Sequence, residues 1–365
     1  MSNKASNQVH ELIQALTSAE KRYFRLYAER HSGSGKNNYQ LLFEAMEKQE
    51  VYDENLLLKQ FHDQPFVKHF SIAKNRLYHQ ILKSLNLYHA ESSSEAIIRD
   101  YLHHVEILFA KNLHKQCARL LSSAEKMAEK HENYLALLKI LDWKKKLVET
   151  KNYESDEIEI SLNQEKYLNH LSVEKECWRI KTEVFRDLFR SGQVRSKEKA
   201  MAALERMDEL NEKKKRALDF ESQYLILHTK GAIYFNLTQY KKCRQSLLEL
   251  KKLFKQRIHF AKDNPVSYHS VLINLAYVSA KLNCIEDSRD FLDESRQLSR
   301  VLKIASTPYL EYRRFIDTYG LELAIANLTG DTSRGGNLLK SIHPGLQKWG
   351  SQLSEVKKAA FLHEL

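Results

Sequence analysis

Gly231-Ala-Ile-Tyr234-Phe-Asn-Leu237-Thr-Gln-Tyr240-Lys-Lys-Cys243-Arg-Gln-Ser-Leu247 is the clearest unit in a chain that reads, beyond its first ninety residues, as repeating helical hairpins. Weaker units keep the same spacing. Ala276, Leu282, Ser288 and Leu292 form one, and Ala324, Asn327, Leu328, Leu338 and Leu339 form another, in which Asn327-Leu328-Thr329 echoes Asn236-Leu237-Thr238. Upstream, Leu108, Phe109, Cys117 and Leu121 fall into step, and 134–170 and 175–212 read as degenerate copies. The period is about 42 to 46 residues. Each such hairpin has two apolar faces and cannot bury both alone, so neighbours must stack to cover them.

The 231–247 unit resembles a tetratricopeptide repeat. That pattern places a small residue where two helices touch, an aromatic one turn later, an aromatic at the bend and a small residue opposite on the second helix. Gly231, Tyr234, Tyr240 and Cys243 fill those places in order. The resemblance covers roughly 95–345, departs from the family by its longer period, and lacks most of the prolines that usually close each unit. It implies an all-α, right-handed superhelical stack of antiparallel helix pairs, a TPR-like α-solenoid. In such stacks the first helix of each hairpin usually faces the concave groove, which makes His228, Asn236, Tyr277 and Lys281 the expected contacts with a protein or peptide partner.

Composition agrees with helices. The 365 residues include only 10 Gly and 4 Pro, too few turn-formers for an array of strands joined by tight turns. The 42% hydrophobic and 29% charged content suits helices that bury one stripe and wet the other. Residues 1–20 hold no apolar stretch, and the best apolar run, Val271 to Ala280, is far shorter than the ~18 residues that span a bilayer. No membrane span and a cytoplasmic location are therefore expected. Cys117, Cys177, Cys243 and Cys284 lie far apart on apolar helical stretches, so buried free thiols are expected rather than a metal or dithiol site.

The first part of the chain, 1–91, reads as a separate small helical module, followed by the repeat array over 92–350 and a cap or tail over 351–365. Thr17-Ser18-Ala19-Glu20 is a capping box opening a helix to about His31. The glycine- and serine-rich His31–Asn38 is a loop, Tyr39–Gln49 a helix, and Asp53 the cap of a short helix ending near Phe61. After Pro65, the apolar positions Phe70, Ala73, Leu77, Ile81, Leu85 and Tyr88 mark a long amphipathic helix with Lys68, Lys74, Arg76 and Lys83 on its wet side. Ser92 and Glu95 suggest a second capping box at the module boundary. A helix-turn-helix over 39–89 would need a tight turn, and His62-Asp-Gln-Pro65 supplies no glycine for it.

A screen for chemistry excludes more than it offers. Gly33-Ser-Gly35-Lys36 lacks the earlier glycine and the following Ser/Thr of a phosphate loop. The S-x-x-K pattern occurs at Ser18, Ser123 and Ser354 without companion motifs. Sixteen histidines include no H-E-x-x-H, and the Glu154, Asp156, Glu157, Glu159 cluster lacks the order of a calcium loop. No cofactor and no catalytic site are expected.

Charge is the remaining signal. The net charge is +11, and residues 195–260 hold 16 Lys/Arg against 8 Asp/Glu, so an acidic partner fits. Lys213, Lys214, Lys215 and Arg216, continued by Lys241 and Lys242, Arg244, Lys251, Lys252, Lys255 and Arg257, could line an anion-binding face. Arg22 and Arg25, interleaved with Tyr23, Phe24 and Tyr27, are a second candidate, though an ordinary amphipathic helix explains them better. The leading expectation is a non-enzymatic protein-binding scaffold or adaptor. The alternative is a nucleic-acid- or ribosome-associated factor.

Overall fold

The computed structural model describes residues 7–30, 38–150, 157–194, 196–330, 332–353 and 355. Among them every regular element is helical and no strand occurs. The chain divides into two compact units, Met1–His103 and His104–Leu365. The division runs through one helix, Ser94–Ala110 (α6), which begins just past the boundary expected near residue 92.

The smaller unit gathers α1 (Gln8–Ala15), α2 (Ser18–Arg30), α3 (Asn38–Glu47), α4 (Glu54–Gln60) and α5 (Phe70–Tyr88). Its core holds Ile13, Phe24, Phe43, Met46, Leu57, Leu77 and Ile81. The helix starts follow local chemistry. Thr17 and Glu20 bond reciprocally, the Thr17 amide donating to Glu20 Oε2 at 2.7 Å and the Glu20 amide to Thr17 Oγ1 at 3.3 Å. Asp53 Oδ1 accepts from the Leu56 amide at 3.1 Å. At the start of α6, however, it is Ser93 rather than Ser92 that caps, accepting from the Ala96 amide at 3.1 Å, while Ser92 Oγ donates back to the His89 carbonyl. Lys74, expected on the wet side of α5, is 6% exposed. Its ammonium pairs with Glu54 at 2.5 Å and donates to Tyr52 Oη at 3.0 Å, which makes burial tolerable. Of the loop expected over His31–Asn38, residues 31–37, with Gly33 to Lys36, lie outside the described residues, and Asn38 begins α3.

In the larger unit α7 (His114–Lys130), α8 (Tyr134–Glu149), α9 (Glu157–Ser191), α10 (Lys197–Lys214), α11 (Phe220–Asn236) and α12 (Tyr240–Gln256) pack against their neighbours in chain order. The short α13 (Ile258–Asp263) precedes the pair α14 (Pro265–Lys281) and α15 (Ile285–Arg296). After the short α16 (Leu298–Leu302), α17 (Pro308–Thr329) pairs with α18 (Thr332–Trp349). One continuous core runs from Val173 in α9 to Ile325 in α17. A second cluster joins Phe315 and Ile316 of α17 to Ile342 and Trp349 of α18 and to Leu353; residues 356–365 of the expected cap lie outside the described residues.

Three hairpins share one geometry to the residue. Asn112, Thr238 and Asn283 all have positive φ, 57 to 61°. In each case the amide one residue later bonds the carbonyl five residues back, Leu113 to Leu108, Gln239 to Tyr234 and Cys284 to Ser279, at 2.8 to 3.0 Å. This is the six-to-one closure of a Schellman turn. Glu132 and Lys303 repeat it. Five residues after that turn lies a small residue each time, Cys117, Cys243 and Ser288, and seven before it lie Val105, Gly231 and Ala276. Cys117 Sγ donates to the Val105 carbonyl at 3.6 Å, and Ser288 Oγ to the Ala276 carbonyl at 2.7 Å. Gly231 and Cys243 hold the same places.

Two expectations fail here. The proposed copies 134–170 and 175–212 share α9, a 35-residue helix about 52 Å long at 1.5 Å per residue, so no break separates them. The echo of Asn236-Leu237-Thr238 in Asn327-Leu328-Thr329 is out of register. Thr238 is itself the left-handed residue, whereas Thr329 ends α17 and Gly330 takes the positive φ.

The glycines separate two kinds of close approach. A Cβ on Gly231 would meet Leu247 at 3.5 Å, ordinary contact, while one on Gly345 would fall 2.0 Å from Phe315. Gly231→Ala is therefore expected to leave stability unchanged or to raise it by up to about 1 kcal/mol through helix propensity. Gly345→Ala is expected to cost about 1–3 kcal/mol by overpacking. Urea unfolding of the two variants checks both signs.

Candidate functional site

A face of α9 carries Trp178, Lys181, Phe185 and Phe189 at helical spacing, and the last two of these border a pocket of about 270 Å³. Its walls come mainly from three helices. Phe185, Leu188 and Phe189 belong to α9, His228, Gly231, Ala232 and Phe235 to α11, and Asn274, Tyr277 and Val278 to α14. Cys243 and Leu247 of α12 complete the lining. They reach it beside Gly231, where no side chain intervenes.

The rim is aromatic and open. Phe189 is 83% exposed and Tyr277 38%, although Tyr277 rests against Phe235 with ring centroids 5.9 Å apart. Phe185 and Tyr224 flank the His228 ring at 5.1 and 5.4 Å. The His228 Nδ1 is buried without a hydrogen-bond partner among the described residues. Burial, helped by the charge of Lys181, drives the His228 pKa down to about 3, so the ring is neutral at pH 7.

Two lysines frame the pocket. The Lys181 ammonium lies 5.1 Å from the Tyr224 ring centroid and 6.0 Å from that of Phe185, and Lys281 lies 5.5 Å from Tyr277, cation–π distances. Burial lowers the Lys181 pKa, with Glu221 opposing. Glu221, at the start of α11, is exposed, but protein packed around its carboxyl, and then the charge of Glu174, push it up to about 7, Asp219 adding to the rise and Lys181 resisting it.

The anticipated contacts are thus partly assembled. His228 and Tyr277 line one pocket, and Lys281 stands a turn beyond Tyr277. Asn236 does not join them: it is 6% exposed, and its carbonyl accepts from the Val194 amide at 3.1 Å, fastening the α9–α10 connection. Phe185 and Phe189 escape a sequence reading that takes 175–212 for a degenerate repeat copy of its own, whereas both lie within the single helix α9. The spacing of Trp178, Phe185 and Phe189 on one helix face was the available signal.

The basic stretch is broken up. Lys213–Arg216 end α10 beside the start of α11, whereas Lys241 and Lys242 begin α12 at its far end, and α11 is about 25 Å long. Lys213 pairs with Glu176 at 2.5 Å, Arg244 with Asp287 at 2.6 Å, Lys251 with Glu294 at 2.5 Å and Arg257 with Glu132 at 2.5 Å. Lys214, Lys215, Arg216, Lys241 and Lys242 remain exposed, the Lys242 ammonium 5.7 Å from the Tyr234 ring. In the smaller unit Arg25 and Lys21 both pair with Glu47, Phe24 is buried and Arg22 is exposed.

Cys117, Cys177 and Cys243 are buried as expected, but Cys284 is exposed at a turn. Of the acidic cluster, Glu154 and Asp156 lie outside the described residues. Among the described residues no group of three or more His, Cys, Asp or Glu is placed to hold a metal, and no helix is long and apolar enough to cross a membrane. Comparison of the chain with protein-family models, with curated proteins and with solved structures finds no match.

Because the raised Glu221 carboxyl binds its proton more tightly in the folded chain than in the unfolded one, stability falls as pH rises from the ordinary value of 4.5 to about 7. Glu221→Gln is expected to raise the melting temperature at pH 8 and leave it unchanged at pH 4.5; thermal melts at the two pH values measure the difference.

Proposed function

We propose that the chain is a non-catalytic scaffold whose hairpins form a right-handed, TPR-like superhelical stack, and that it holds a segment of a partner protein on the face formed by α9, α11 and α14. The observation that supports this most is the aromatic pocket, with its exposed Phe189 and Tyr277. Exposed aromatic rims around an apolar cavity are the usual form of an interaction hot spot. The cavity's 270 Å³ falls below the ~300–1,000 Å³ of sites that enclose a small molecule, which favours one inserted side chain. A cytoplasmic setting belongs to the same proposal.

The exposed Lys214, Lys215 and Arg216 support the second reading, a nucleic-acid- or ribosome-associated factor. Ion pairs across neighbouring helices neutralise much of the remaining basic stretch, which weighs against a continuous phosphate track.

Affinity purification with the full chain as bait separates the two. Under the scaffold reading, a partner protein survives nuclease treatment, its recovery drops at least tenfold with Phe189→Ala plus Tyr277→Ala, and it is unchanged when Lys214, Lys215 and Arg216 are reversed to Glu. Recovery lost on nuclease treatment or on that charge reversal, and indifferent to the aromatic changes, would replace it with the nucleic-acid reading.

A further inference from the structure

We infer that the segment held at this pocket is acidic, carrying one large apolar side chain that fills the cavity between α9, α11 and α14, with carboxylates on either side of it meeting Lys181 and Lys281. The inference rests on the partner-binding reading and names the chemistry of its ligand.

The cavity itself selects against charge. Its lining is aromatic or aliphatic except for Gly231, Cys243, His228 and Asn274, none of them charged, His228 being neutral at pH 7 with its pKa near 3. A carboxylate inserted there would lose its hydration with no cation to meet it. An aromatic or large aliphatic side chain would instead cover Phe185, Phe235 and Leu247, which reach the cavity from three helices.

Charge enters at the two ends. Lys181 lies against Tyr224, in the first turns of α11, and Lys281 lies against Tyr277, which packs on Phe235 near its end. No carboxylate lies within ion-pair distance of either ammonium among the described residues, although Glu221 is near enough to Lys181 to oppose the fall in its pKa. The rise from Tyr224 to Phe235 along α11 is about 16 Å, and an extended chain covers about 3.3 Å per residue. Along that axis alone, a ligand that spans the two lysines, which stand on α9 and α14, places its carboxylates at least two residues to each side of the anchor. Both ammonium groups already rest on aromatic rings, which holds them in place for an incoming anion.

A single-stranded nucleic acid also combines stacking with cations, but the surroundings suit it less. Glu221 stands near Lys181 and Glu174 near Glu221, so a continuous run of phosphates on this side would meet two carboxyl groups, whereas a peptide brings a single carboxylate to the ammonium.

Fluorescence anisotropy with the full chain tests this. The probes are labelled peptides with a central Phe and Asp two and three residues to each side, the same peptide with Lys or Gln for Asp, one with Ala for Phe, and labelled oligo(dT). The Asp/Phe peptide is expected to bind at least tenfold more tightly than the Lys and Ala peptides, and to lose severalfold with Lys181→Gln or Lys281→Gln, less so in high salt. It is also expected to lose at least tenfold with Phe189→Ala, whose exposed side chain can be removed without disturbing the core.

A Gln peptide as tight as the Asp peptide, still sensitive to Phe189→Ala, would overturn the acidic ligand and leave partner binding at the pocket intact. Oligo(dT) binding more tightly than any peptide would overturn both. So would equal or absent binding of every peptide, taken with a nuclease-resistant partner whose recovery ignores the pocket variants.

Discussion

A left-handed residue at the end of a helix, followed by an amide that bonds back to the carbonyl five residues earlier, is the constraint on which the larger unit depends. It recurs at Asn112, Glu132, Thr238, Asn283 and Lys303. None of these is glycine, and only asparagine among them tolerates the conformation readily. For Thr238, branched at Cβ, and for the others the cost is about 1–2 kcal/mol each, so packing on either side must hold the turn in place. The turn folds the second helix onto the first at a fixed register. In that register, a residue seven before it meets a residue five after it at Val105 and Cys117 and at Ala276 and Ser288, while Gly231 and Cys243 hold the same places and Leu247 makes the approach to Gly231. The second member is small each time, and Cys117 and Ser288 use their polar atom on a carbonyl of the facing helix.

The same register creates the pocket. Gly231 is too loosely approached to be required for packing, with Leu247 at ordinary contact distance. What its missing side chain does is let Cys243 and Leu247 reach a cavity that α9 and α14 close from the sides. The hairpin turn and the pocket are therefore two results of one helix crossing. The aromatic rim follows from α9, whose long uninterrupted course carries Phe185 and Phe189 alongside α11.

Much of this was legible in the sequence because it is local. Thr17 with Glu20 and Asp53 with Leu56 are contacts within one helical turn, and the Gly231–Cys243 spacing is set by one hairpin. The misreadings come from longer range. Lys74 sits at a position where the α5 stripe turns inward, and only the arrival of Glu54 and Tyr52 from another part of the chain explains a buried ammonium there. Asn236 reads as a surface residue on a first helix until the α9–α10 connection folds over it. The division of 134–212 into two copies imposed the repeat period on a segment that contains neither Gly nor Pro from 157 to 191, and nothing in its chemistry stops the helix.

The basic stretch shows why a count of charge along the chain overstates a charged surface. Lys213, Arg244, Lys251 and Arg257 fall within one basic stretch of the sequence, yet they meet carboxylates from three other segments: Glu176 in α9, Asp287 and Glu294 in α15, and Glu132 at the α7–α8 turn. Surface pairs of this kind add little stability, about 0–1 kcal/mol each. Their effect is on the field outside the molecule, because paired charges a few ångströms apart look neutral beyond the ~8–10 Å Debye length. Long-range attraction is thus left to a few exposed side chains at the two ends of α11. At the pocket, by contrast, Lys181 and Lys281 act at contact distance beside apolar surface, where the local dielectric is lower and a single opposite charge matters more. Recognition on this face is accordingly expected to depend on where an anion sits relative to an apolar anchor, rather than on the total charge of the partner.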